Sequence, residues 1–271
     1  MSPPPARPAA VALVAAILAA AAAPGGARAE EVAVRHVEGV AHGFLVVRTK
    51  EGEALGEGDL TQVSRRGVVT AKLVLRLRDG STREETTVYE QRKVFRMLTN
   101  HVVQKGPAFK VKELESWIER SGRVRVRWVD DDGKQQSVDE HMDLPPDVAN
   151  GLPTILVKNI PPSKEKTTVS MVAVTPKPRL VHLEITPSGE EPFATSGHER
   201  KATHFTLKIS VPGATGVIAS MLGKIPEDSH FWIIEGEAPT FVRAETPLFS
   251  GEQVWRVDLA CVTWPGDRAQ R

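Results

Sequence analysis

The feature that most constrains this chain is alternation. From Thr70 to Arg78, Ala71, Leu73, Leu75 and Leu77 fall on one side, while Thr70, Lys72, Arg76 and Arg78 fall on the other. Arg123–Trp128 reads Arg-Val-Arg-Val-Arg-Trp, and His204–Val211 puts Phe205, Leu207, Ile209 and Val211 in register. Trp255, Val257 and Leu259 repeat the pattern near the C-terminus. A period of two over several residues belongs to a strand with one face in the core and the other in water. Strands are expected near 42–49, 56–64, 68–78, 82–90, 92–97, 122–129, 135–142, 167–174, 179–186, 202–211, 229–235, 239–245 and 253–260. Asp79-Gly80, Asp132-Gly133 and Ser188-Gly189 read as turns between them. Many strands on short connections make an antiparallel, mainly β fold.

Helical pattern is sparse. Lys112–Glu119, with Leu114, Trp117 and Ile118 on one side, reads as a short helix. Two short helical pieces are expected across 146–159, because Pro145-Pro146 suits a helix start and Gly151 and Pro153 then interrupt the run. The strands and these pieces are read as one domain over 30–271, in two halves joined by segment 143–162, with 30–40 and 263–271 loosely held.

The N-terminus is read as a leader rather than as fold. Arg7 precedes an apolar run from Pro8 to Ala23, Pro24-Gly25-Gly26 breaks it, and Ala27-Arg28-Ala29 has the small-x-small form of a cleavage site. A signal peptide over 1–29 leaves Glu30 as the first mature residue and directs the protein to the periplasm or outside. The alternative is a retained anchor, but the run is shorter than the roughly 20 residues a spanning helix needs. Cys261 is the one cysteine, so no internal disulfide forms, and a lipidated Cys does not follow the leader. No stable membrane anchor is therefore expected after cleavage. The 35 Lys and Arg nearly balance the 34 Asp and Glu, which gives no basic excess for nucleic acid or anionic lipid.

Catalytic patterns are absent. The eight histidines show no ligand spacing, and His198-Glu199 lacks a second His four positions on, so no metal or cofactor is expected. His182 and His204 sit at polar strand positions where they can meet across a sheet, or stay ordinary surface residues. Gly216–Ser220 lacks the spacing of a nucleophile elbow. Arg123, Arg125 and Arg127 share one strand face, which is either an anion site or a solvated outer surface balanced by nearby acids. An outer-membrane barrel is disfavoured by a single tyrosine and no aromatic girdles.

His230-Phe231-Trp232-Ile233-Ile234 places four apolar residues in a row, so either both faces are covered or one faces a cavity. The exported chain, its antiparallel strands, a central helical insert, this Phe-Trp-Ile strand and the subsequent Phe-Val-Arg resemble exported bacterial families of unknown function allied to the lipoprotein-localisation carriers. Asp143-Leu-Pro-Pro-Asp-Val-Ala-Asn-Gly151 is similar to a central signature of those families. The resemblance implies a curved sheet or incomplete β-barrel closed by a few short helices over an apolar cavity. It marks no binding residue by motif.

A sheet curled around helices leaves a concave apolar surface where apolar ligands lodge. Trp128, Leu152, Ile155, Leu156, Met221, Leu222 and Trp232 are the expected lining, with Met221 and Leu222 in a lid between Pro212 and Pro226. Each is alternatively plain core. The expected function is non-enzymatic binding of a lipid or other apolar small molecule. The alternatives are an envelope interaction protein that pairs through a sheet edge, its protein partner unknown, and a hydrolase whose site is assembled from distant residues.

Overall fold

The computed structural model describes residues 29–174, 177–195, 198–210, 227–247 and 253–260. Residues 1–28 of the leader, the lid with Met221 and Leu222, Cys261 and the 263–271 tail lie outside them. The first arm runs β1 (Ala41–Arg48), β2 (Ala54–Arg65), β3 (Val68–Leu77), β4 (Thr82–Gln91), β5 (Phe95–Lys105), β6 (Glu113–Glu119), β7 (Arg123–Val129) and β8 (Gln135–His141). After α1 (Pro153–Asn159) the second arm runs β9 (Thr167–Ala173), β10 (Arg179–Thr195), β11 (His198–Ser210), β12 (Ser229–Ile234), β13 (Thr240–Pro247) and β14 (Val254–Leu259). All the described strands form one 14-stranded sheet in the order β8-β7-β6-β5-β4-β3-β2-β1-β14-β13-β12-β11-β10-β9. Every pairing within it is antiparallel. Each arm is a meander, and the arms are seamed where β1 pairs with β14, Val47 facing Val257. The sheet stays open, with β8 and β9 as its two edges.

The strand between Lys112 and Glu119 corrects the helical reading. Leu114, Ser116 and Ile118 are buried on one face of β6, while Trp117 stands on the other and stacks on His101 at 4.5 Å. Ser188-Gly189 is likewise no turn. It is a bulge inside β10, where the pairing with β11 slips between Pro187 and Gly189, and Gly189 takes φ +107°. Among the described residues α1 is the single α-helix, so the stretch before Gly151 is not helical. Residues 30–40 are docked rather than loose. Val32 is buried, Ala33 bridges Val94, and Asn159 Oδ1 accepts the Arg35 and His36 amides at 2.9 and 2.8 Å.

The core lies where the arms face each other. Val69, Tyr89, Phe95, Met97 and Ile118 of the first arm join Val169, Leu183, Ile185, Phe205 and Phe231 of the second in one cluster. Helix α1 sits within it and buries Ile155, Leu156 and Val157. Each such side chain contributes about 1.5–3 kcal/mol of transfer free energy. Pro153 opens the helix where an amide has no partner to lose, and Lys158 meets the negative C-terminal end. Pro161 forces Ile160 to the extended φ −85°, ψ 121° that stops it. Lys158 also forms an ion pair with Glu38, the two side chains being 14% and 11% exposed. A second cluster fills the seam, with Leu45, Val47, Leu75, Trp255 and Val257, and Phe109 lies 5.4 Å from the Trp255 ring.

Candidate functional site

A cleft of about 220 Å³ opens between the two arms. One wall is apolar, from Val172, Val181, Leu183, Leu207, Ile209 and Phe231 of the second arm. The opposite wall carries Arg83, Glu85, Asn100 and Ser116 from β4, β5 and β6. Arg83 and Glu85 face inward because the inner face of β4 is polar apart from Tyr89: Arg83, Glu85, Thr87, Tyr89 and Gln91 pair with Leu75, Leu73, Ala71, Val69 and, through the turn, Gly67. Arg83 is 8% exposed. Its Nη1 donates to Gln104 Oε1 at 3.1 Å, and its Nη2 meets Glu85 Oε2 at 3.3 Å. Asn100 Nδ2 closes the network on Glu85 Oε1 at 2.8 Å and on Thr87 Oγ1 at 3.0 Å. Arg83 Nε is buried without a hydrogen-bond partner among the described residues. A donor left so costs about 1–3 kcal/mol until a water or ligand meets it. Further along, burial pushes the Tyr89 phenol pKa upward and keeps it neutral.

The segment Asp143–Gly151 clamps the cleft from one side. Asp147 Oδ2 accepts the Ser170 amide at 2.7 Å. Asn150 Oδ1 accepts the Val172 amide at 2.8 Å, and its Nδ2 donates to the Val172 carbonyl at 3.0 Å. Two side chains thus stand in for the neighbour that edge strand β9 lacks, and the Ala149 amide adds a bond to the Ser170 carbonyl at 2.9 Å. Gly151 comes next at φ +73°, and a Cβ there would lie 2.0 Å from Thr87 Oγ1 and 2.5 Å from Asn100 Nδ2. Only a glycine lets this backbone lie against the polar wall of the first arm while Asn150 holds the second.

The residues read as lining from sequence scatter. Leu152, Ile155 and Leu156 are buried in the main core around α1. Trp128 is half-buried on β7 and borders a separate groove with Leu114, Arg127 and Gln136. Trp232 lies on the sheet face opposite Phe231 and Ile233, packed on Phe193, Ala202, Ile234 and Val242. Both readings of its strand hold in part: Trp232 and Ile234 are covered on one face, while Phe231 on the other borders the cleft. The Arg123–Arg127 stripe is an outer face balanced by acids, with Arg123 on Asp139 at 2.7 Å and Arg125 on Glu119 at 3.5 Å. Sequence reasoning misses the inward groups Arg83, Glu85, Asn100, Asp147 and Asn150. For Arg83 and Glu85 the signal is a strand, Thr82–Gln91, polar at nearly every position yet flanked by strands with apolar faces.

His204 does not meet His182, which pairs with Ser170 and Ser210 in the register. It meets His230 instead, Nε2 to Nδ1 at 2.9 Å, with Trp232 stacked on it at 4.7 Å and Glu191 Oε1 2.9 Å from its Nδ1. With His204 neutral, Nδ1–H donates to Glu191 and Nε2 accepts from His230. Burial holds His204 below its usual 6.5, against the opposing pull of Glu191 and Glu245 and with the help of His230. A depressed histidine contributes stability that is complete above its unfolded value and is lost as pH falls through the folded one. The melting temperature is therefore expected to fall between about pH 7 and pH 5, and to fall less in His204→Gln. Melts of both proteins across that range check it, and parallel curves would refute it.

Among the described residues no three His, Cys, Asp or Glu side chains are arranged to hold a metal, and no helix is long and apolar enough to cross a membrane. No protein-family model matches the chain, and no curated protein matches it. Two crystal structures match the chain, both at TM-scores below 0.5. One is the β-barrel-like protein of a domain of unknown function, DUF1849, from Brucella abortus, at TM-score 0.44 and 11% identity over 83% of this chain and 98% of that one. The other is the hypothetical lipoprotein YmcC from Escherichia coli K12, at TM-score 0.32 and 9% identity over 82% of this chain and 88% of that one. Neither assigns the chain to a family; what the chain itself establishes is an open, curled antiparallel sheet wrapped around a helix-bearing crossover.

Proposed function

We propose that this is a non-enzymatic binding protein, exported to the periplasm or beyond, that takes the apolar chain of a lipid-like ligand between its two arms. The carrying observation is the cleft itself, with an aliphatic wall facing a short polar wall around Arg83. A groove with one apolar and one hydrogen-bonding side orients an amphiphile, tail against Leu183, Leu207 and Ile209, head toward Asn100 and Arg83. Its volume of about 220 Å³ is below the range of larger pockets, which favours one chain over a multi-chain lipid.

The test is native mass spectrometry of protein purified from the periplasm, then titration of the delipidated protein with a fluorescent fatty acid. Met171 lines the cleft and is only partly buried, so Met171→Trp is expected to weaken probe binding about ten-fold while the fold persists. Protein that carries nothing and takes up no probe ends the proposal.

The contrast between the two sheet edges favours a second reading. Asp147 and Asn150 cover β9, whereas β8 is exposed at all but one position and no described strand pairs with its outer edge. Such an edge accepts a strand from a partner. Val138→Pro in the middle of β8 is expected to abolish retention of an envelope partner, and unchanged retention would reject strand addition.

A further inference from the structure

We propose that the outer face of the sheet carries an anion site, built from Arg48, Arg243 and Arg256 around Asp258, that takes the phosphate of a phosphomonoester. The site is distant in kind from the cleft between the arms, since its residues point away from the core. On β14, Trp255 and Val257 enter the seam cluster, so Arg256 and Asp258 project from the other face. Arg48 lies directly opposite Arg256 across the β1–β14 pairing, and Arg243 lies opposite Asp258 across β13–β14. Phe193 and Ala194, from the far end of the β10–β11 hairpin, complete the rim of a cavity of about 360 Å³.

The charge arrangement is unbalanced. Arg243 Nε lies 2.8 Å from Asp258 Oδ1, Arg256 Nε lies 3.0 Å from Oδ2, and Arg48 Nε lies 3.3 Å from Oδ2. Three guanidiniums therefore share one carboxylate, a formal excess of two positive charges. Like charges placed opposite each other across strands oppose folding, so this grouping is not explained by sheet stability. Glu245 lies opposite Arg256 on β13 but is not among the residues that line the cavity, and it makes no ion pair with Arg256 among the described residues.

The donors are also left over in the right form. Each arginine meets Asp258 through Nε. Arg48 Nη1 donates to the Gly52 carbonyl at 3.0 Å, while the terminal amino groups of Arg243 and Arg256 make no hydrogen bond among the described residues. The Arg243 guanidinium is held over the Phe193 ring at 4.9 Å and near Trp232 at 5.8 Å, which fixes its direction. Planar forks with free terminal N–H groups match a tetrahedral oxyanion, and a dianion matches the excess charge. The cavity exceeds a phosphate group in size, so the ester's organic body has room against Phe193 and Leu259.

The test is calorimetric titration of the full mature chain with inorganic phosphate and with phenyl phosphate, at two salt concentrations. Both are expected to bind, phenyl phosphate more tightly, with affinity falling as salt rises. Arg256→Gln is expected to weaken both about ten-fold, and Asp258→Asn, which removes the competing carboxylate, is expected to tighten them. Circular dichroism establishes that each variant folds, and Arg256→Lys, which keeps the charge but not the fork, should fall between. Vesicles of phosphatidylcholine with phosphatidic acid form a second arm. Sedimentation with them, lost in Arg256→Gln, places the phosphate on a lipid headgroup, and its absence beside phenyl phosphate binding places it on a soluble ester. No heat with either probe up to about 10 mM, or equal binding by wild type and Arg256→Gln, overturns the proposal.

Discussion

Asn150→Ala is expected to destabilise the protein by about 2–4 kcal/mol, because it leaves both the Val172 amide and the Val172 carbonyl buried without partners. The cost comes from orphaned groups rather than from lost attraction, so it should exceed that of a typical side-chain deletion. Asn150→Asp refines the point. It retains an acceptor for the Val172 amide but sets a second oxygen against the Val172 carbonyl, and should recover little. Chemical denaturation of the three proteins measures the difference. Hydrogen exchange should show the loss as faster exchange at Ser170 and Val172 ahead of the rest of the sheet. Wild-type stability in the alanine variant would mean that β9 does not depend on a side-chain partner.

The second large effect is at the base of the same crossover. Lys158→Ala is expected to cost about 3 kcal/mol or more, since it strands the Glu38 carboxylate, 11% exposed, with only Gln62 Nε2 at 3.0 Å as a side-chain donor among the described residues. Breaking one half of a buried pair is far more damaging than replacing both halves. Lys158→Met with Glu38→Leu should therefore regain much of the loss. The pair joins α1 to the segment that precedes β1, so a melt of the single variant should also show early exposure of residues 30–40. A double variant no more stable than Lys158→Ala would argue that the interaction acts through packing alone.

The strands are legible because period-two burial leaves a mark whatever the partner strand is, and the expected and observed bounds of β2, β3, β4 and β8 differ by only a residue or two. β6 reads as a helix because Leu114, Trp117 and Ile118 also satisfy helical spacing. The inner position between them is Ser116, whose hydroxyl gives no apolar signal. Ser188-Gly189 resembles a turn because glycine at positive φ serves bulges and turns alike. The candidate site is harder. Leu152, Ile155 and Leu156 carry the apolar signal expected of a lining, but so does any helix buried on most of its faces. Trp232 reads as inward because four successive apolar residues do not say which face the second of them takes, and the cover over the outer face comes from Phe193, some forty residues earlier. Arg83, Glu85 and Asn100 become neighbours only through strand pairing. The roles of Asp147 and Asn150 depend on β9 lying alongside, which no local pattern records.

The seam between β1 and β14 has a consequence for how the molecule is made. The earliest strand of the sheet finds its second neighbour only when the last strand has been delivered. Loop closure on that scale is slow, and a hydrophobic edge waits open meanwhile, Leu45 and Val47 among its residues. A chain that emerges in sequence order must therefore keep that edge from joining a second copy until β14 reaches it, which makes the late arrival of β14 the vulnerable moment of biogenesis.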